Sequence, residues 1–194
     1  MIYWINGSYG VGKTTIVEAL VKELKKACIF DPEAVGNAVR DNYPQELIFS
    51  YIFEDYELWR KFIYELLKDI SSKYDGDIVV PMTLVRKESY NDIIKRLKNN
   101  NVEILYFFLD GDYKTIHDRI LKRGEGEDSW CMQNVKMCLD AQKNDSNAIH
   151  IDTFNKTPEE IVKDIIAKRC NLWNNGVDHF QKSPICEHIV ETVS

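Results

Sequence analysis

Short, near-continuously apolar runs alternate along this chain with segments of helical period. The runs Met1–Asn6, Ala27–Asp31, Asp77–Met82, Val102–Leu109 and Ala148–Asp152 predict five strands. Their lack of apolar/polar alternation is expected of strands covered on both faces. Between them, Lys13–Lys26 sets Ile16, Leu20 and Leu24 on one stripe, with Val17 and Val21 beside it. Asp92–Asn99 carries Ile93, Ile94 and Leu97 on one face, and Tyr113–Arg123 carries Ile116 and Ile120 before a natural stop at Gly124. Ser129 is placed to cap a helix reaching about Lys143. Thr157-Pro158-Glu159-Glu160 has the cap, the proline and the reciprocal glutamate of a helix start. The alternation predicts an α/β fold with a parallel sheet flanked by helices.

The stretch Gln45–Ser72 departs from this rhythm. It reads as long and helical and is crowded with Phe49, Tyr51, Phe53, Tyr56, Trp59, Phe62 and Tyr64. Aromatic side chains at such density most often pack a core. The rival reading is a wall for a flat or greasy ligand, with Trp59 as a substrate contact. Residues 171–194 are weakly patterned and carry no functional reading.

A chain of 194 residues suits one domain with a small lid. Its formal net charge of -6, without a long Lys/Arg run, argues against a general grip on nucleic acid. No leader-like segment precedes the first motif, and no apolar run approaches the ~18 residues of a membrane span. The expectation is a cytoplasmic chain without a transmembrane segment. Cys131 and Cys138, seven apart, share a helix face; buried thiols are expected there rather than a metal site.

One motif carries chemistry outright. Gly7-Ser8-Tyr9-Gly10-Val11-Gly12-Lys13-Thr14 matches G-x-x-x-x-G-K-[ST], after a strand pattern and before an amphipathic helix. Glycines let consecutive N–H groups turn toward phosphate oxygens, and the helix start adds its positive end. Lys13 is expected at the β- and γ-phosphates of ATP and Thr14 on Mg²⁺, with Thr15 beside it.

Other candidates follow from the edge at which the P-loop lies. Asp31 and Glu33 stand at the carboxyl end of the second strand, where ligands of parallel sheets gather. Asp31 is the candidate acceptor of a substrate hydroxyl's proton, against the alternative that it caps the turn before Pro32. Glu33 is a helper or a first-turn acid of the next helix. Arg119 and Arg123 share a helix face ahead of Gly124-Glu125-Gly126-Glu127, which suits a lid closing over ATP as well as a solvated face. Arg40, Arg60 and Arg86 are candidates for an acceptor pocket, although each taken singly has the surface as its ordinary place. Val79-Val80-Pro81-Met82-Thr83 lacks a Walker-B acid. Mg²⁺ then relies on Thr14, phosphates and waters, with Asp31 or Thr83 outside them. That absence argues against GTPases and motor ATPases.

WINGSYGVGKT, FDPEAVG, YELWR, IVVPMT, the Arg119–Arg123 pair and Ser129-Trp130 resemble the tunicamycin-resistance proteins. These P-loop proteins are akin to chloramphenicol phosphotransferase and to shikimate and nucleoside-monophosphate kinases. The resemblance spans most of residues 1–167. It implies a P-loop NTPase fold with a five-stranded parallel sheet in the order 2-3-1-4-5. It also implies a kinase-like domain over 1–170, a lid near 124–130 and substrate-binding helices near 34–72. By the same likeness Asp31 matches the acceptor-hydroxyl base, Arg119 the arginine on adenine and Arg123 the one nearer the phosphates. Asp152 and Thr153 would begin the loop beside adenine, and Glu33, Arg40, Trp59, Arg60 and Thr83 would face the acceptor. The implied activity is γ-phosphoryl transfer to a hydroxyl of a small molecule, such as a tunicamycin-like nucleoside antibiotic. The alternative is an ATP-dependent protein that sequesters the drug without transfer.

Overall fold

The computed structural model describes residues 1–174; the rest of the tail lies outside the described residues. Five strands form one parallel sheet: β1 (Ile2–Gly7), β2 (Ala27–Ile29), β3 (Asp77–Pro81), β4 (Ile104–Asp110) and β5 (Ile149–Asp152). Their order is β2-β3-β1-β4-β5, as the resemblance implied. The helices are α1 (Lys13–Glu23), α2 (Pro32–Asp41), α3 (Glu57–Lys73), α4 (Lys87–Ser89), α5 (Arg96–Asn99), α6 (Tyr113–Lys122), α7 (Trp130–Asn144) and α8 (Pro158–Asn174). A π-wound stretch, Tyr90–Lys95, joins α4 to α5.

Side chains of β1 alternate between two cores, as the strand period requires. Tyr3 and Ile5 pack with α1 and α8 through Leu20 and Ile165. Ile2 and Trp4 pack against α3 through Ile63 and Leu67. A third cluster, Ile116, Ile120, Met132 and Val135, binds α6 to α7. Every residue of β1 is buried, which explains its unbroken apolar run.

Some expectations were too long, among them the helix Lys13–Lys26, which ends at Glu23. The second strand, bonded to β3 alone, stops at Ile29, and Asp31 already caps the helix that begins at Pro32. Gln45–Ser72 is not one helix: two 3₁₀ turns, Gln45–Leu47 and Phe53–Asp55, precede α3. The Tyr56 hydroxyl holds that loop, accepting from the Phe49 and Ser50 N–H groups and donating to the Ser50 carbonyl. Among the described residues no helix is long and apolar enough to cross a membrane.

Candidate active site

The end of β1 is tied to its neighbours by a buried asparagine. Asn6 Nδ2 donates to the Leu84 carbonyl at 2.8 Å and to the Tyr106 hydroxyl at 2.6 Å. Its Oδ1 accepts from the N–H of Gly7 at 2.7 Å and of Leu84 at 2.9 Å. The Thr83 hydroxyl donates to the Gly7 carbonyl at 2.9 Å, so the segment after β3 fixes where the loop departs.

The loop then curls as its glycines allow. Gly10 has φ +79°, and a Cβ there would stand 2.7 Å from Ile120 Cγ1. Gly12, at φ +109°, is the N-cap of α1 and offers no side chain to it. The first N–H groups of the helix therefore have no capping side chain, as an anion site requires. Lys13 Nζ donates to the carbonyls of Gly7 and Ser8, each at 3.0 Å, which holds the ammonium at the mouth of the cradle. Burial, with Arg123 acting the same way, pulls its pKa down to about 8 against the attraction of Glu33. Uncapped N–H groups, a lysine and the Thr14 hydroxyl form a donor set that fits ATP with Mg²⁺.

Two cavities adjoin this cradle. The larger, about 690 Å³, runs along Gly10–Ile16 and is closed by Arg119, Lys122 and Arg123. Arg119 Nη1 donates to the Val11 carbonyl at 2.7 Å, so this arginine is braced on the loop itself. Arg123 pairs with Glu125 at 2.8 Å. The far wall is Lys156, Pro158 and Ile161, at the start of α8. Asp152 and Thr153, expected there, are turned to other work. The Thr153 hydroxyl donates to the Asp110 carbonyl at 2.6 Å, and Asp152 accepts from the Phe154 N–H at 3.0 Å.

The smaller cavity, about 430 Å³, lies on the other side of Tyr9, Glu33 and Trp130, which border both spaces. Asp31 borders neither: as N-cap of α2 it accepts the Glu33 N–H at 2.9 Å. The structural alternative for Asp31 is thus the geometry found, and the carboxylate at the junction is Glu33. Surrounding protein pushes the Glu33 pKa up while Lys13 draws it down. Arg40 and Thr83 line the smaller cavity. Trp59 does not; it is 1% exposed in the core, its indole N–H donating to the Pro32 carbonyl at 2.9 Å. Arg60 is held by Asp92 at 2.8 Å and by the Glu54 carbonyl, and Arg86 by Asp55 at 3.4 Å.

Sequence reading missed Glu54 and Asn37 on this wall. The available signal was an acid inside an aromatic-dense stretch, where a buried carboxylate needs a partner or a purpose.

A model of the AAA domain family matches residues 2–144. A Pseudomonas aeruginosa protein described as a probable adenylyl-sulfate kinase is 27% identical over 182 residues, covering 89% of this chain and 78% of that protein. The Deinococcus radiodurans tunicamycin resistance protein superposes with a TM-score of 0.73 at 24% identity, over 87% of this chain and 94% of that one. Shikimate kinase from Aquifex aeolicus gives 0.55 at 22% identity, over 92% and 100%. At these identities the two structural likenesses show a common fold, the P-loop NTPase fold.

Proposed function

We propose, because the chain belongs to the AAA domain family, that it is an ATP-dependent phosphotransferase placing the γ-phosphoryl group on a hydroxyl of a small molecule. The observation that carries this reading is Glu33, which borders both cavities beside the Lys13 cradle. ATP is read into the larger cavity and the acceptor into the smaller. The P-loop amides and Lys13 receive the β- and γ-phosphates. Arg119 and Arg123 lie where guanidinium groups neutralise charge spreading over the transferring group. Thr14 would hold Mg²⁺, which supplies further neutralisation of that charge. The acceptor oxygen forms its bond to the γ-phosphorus as the bond to the β-bridging oxygen breaks, and Glu33 takes the hydroxyl proton. Because the transition state is loose, orienting the hydroxyl contributes more than removing its proton.

The chain end of β3, Pro81-Met82-Thr83, carries no acid for the metal. That favours a kinase over a motor ATPase, as does the adenylyl-sulfate kinase relative. The name of the Deinococcus neighbour supports a tunicamycin-like nucleoside as the first acceptor to try. A second reading is ATP-dependent sequestration without transfer. It is favoured by the contact of Tyr9 with Trp130, ring centroids 4.7 Å apart, between the two cavities.

Incubation with γ-labelled ATP, Mg²⁺ and candidate acceptors tests both. Labelled small molecule is the expected result. Acceptor binding at full occupancy without labelled product overturns transfer in favour of sequestration.

A further inference from the structure

The smaller cavity holds a charged residue that transfer chemistry leaves unused. Glu54, 3% exposed, sits in the turn Phe53–Asp55. Its carboxylate accepts the backbone N–H of Val85 at 2.9 Å and of Arg86 at 3.0 Å. Two donors from the segment after β3 thus fix its orientation. Burial raises its pKa, opposed by those backbone hydrogen bonds, the Ser89 hydroxyl and the charge of Arg86. An ionised carboxylate offers about four acceptor sites, and this one borders the cavity.

The cavity's other charged groups are Glu33 and Arg40. Arg40 is engaged, donating to Asn37 Oδ1 at 2.6 Å and stacking over the Phe53 ring at 4.8 Å. The wall is completed by apolar and aromatic groups such as Tyr51, Ile52, Met82 and Trp130. Two carboxylates therefore face one occupied guanidinium.

We infer that Glu54 sets acceptor specificity: it receives a hydrogen bond from a neutral or cationic hydroxyl compound with a flat or apolar body, and it rejects acceptors bearing phosphate, sulfate or carboxylate. The inference rests on reading the smaller cavity as the acceptor site. An acidic group there meets a like charge that is fixed and poorly solvated. A hydroxyl or ammonium instead completes the bonding of the buried carboxylate.

The test is binding, measured on the full chain with Mg²⁺ and a non-hydrolysable ATP analogue saturating the larger cavity. Matched probes differ by one acidic group: uridine and its 5′-monophosphate, adenosine and its 5′-monophosphate, glucosamine and its 6-phosphate. The expected result is binding of at least one neutral or cationic member, with its acidic partner about tenfold weaker or more. Glu54→Gln should collapse that ratio, because it removes the negative charge and puts a donor in place of one carboxylate oxygen. Glu54→Ala serves if that variant fails to retain ATP-analogue binding. Equal or tighter binding of the acids, an unchanged ratio in the variants, or no neutral or cationic binder overturns the inference. Labelled-product assays separate it from the transferase reading. Discrimination without product sinks transfer alone, whereas product on an acidic acceptor sinks the inference alone.

Discussion

The Tyr9 ring meets the Trp130 indole at an interplanar angle of 66°, and both residues border the larger and the smaller cavity. Tyr9 belongs to the P-loop and Trp130 opens α7. Any movement of the turn 124–129 is therefore felt at the boundary between the two cavities. Trp130→Ala removes the contact, worth about 0.5–1.5 kcal/mol as an aromatic pair, and lets water share both spaces. The expected outcome is nearly unchanged ATP affinity with a several-fold rise in acceptor-independent ATP hydrolysis relative to transfer. Inorganic phosphate release measured with and without acceptor checks it; an unaltered ratio rejects the boundary role.

Gly10 offers a stricter test of the cradle. Its φ of +79° disfavours any L side chain, and a Cβ would press on Ile120 Cγ1 at 2.7 Å and the Ile116 carbonyl at 3.3 Å. Gly10→Ala should destabilise by about 1–3 kcal/mol and weaken ATP through displacement of α6, which carries Arg119. Denaturant unfolding and ATP titration read the two effects. Wild-type behaviour in both is incompatible with this loop geometry.

The sheet and the phosphate cradle were legible because their signals are local. A G-x-x-x-x-G-K-T run between a strand and a helix states its own geometry, and apolar runs buried on both faces announce parallel strands. The smaller cavity depends on choices that spacing does not encode. Asp31 and Glu33 are two residues apart, and only the capping bond to the Glu33 N–H reveals which carboxylate is engaged. Trp59 and Tyr51 lie in the same aromatic stretch, yet one is in the core and the other 71% exposed on a cavity rim. The break near Tyr56 that separates them comes from hydroxyl bonding to the loop, a tertiary contact no periodicity reports.

Lys13 makes both nucleotide binding and stability depend on pH, with opposite signs. Its pKa near 8 is depressed by burial from the ordinary 10.5. Below 8 the ammonium is charged and the burial penalty is fully present. As pH rises through 8, the folded state releases a proton that the unfolded chain keeps until near 10.5. Stability of the free protein should therefore rise across that window. ATP affinity should fall over the same range, about tenfold by one unit above the pKa. Lys13→Arg, charged throughout, should flatten both slopes. Chemical denaturation and ATP titration between pH 7 and 10 decide it; parallel slopes in wild type and variant reject Lys13 as the titrating group.

The last prediction separates the two carboxylates that flank Pro32. Asp31 caps α2, and asparagine caps as well as aspartate, so Asp31→Asn should leave stability, ATP affinity and transfer near wild type. Asp31→Ala should cost about 0.5–2 kcal/mol, the loss of a cap. Glu33→Gln keeps the shape of the cavity junction but cannot take a proton. It should lower transfer by about 10²–10⁴-fold, the usual contribution of a positioned base, with ATP affinity changed far less. Single-turnover transfer measured with each variant gives the answer. If Asp31→Asn abolishes product while Glu33→Gln retains it, the hydroxyl is received by the capping residue, and the helix start must open before transfer.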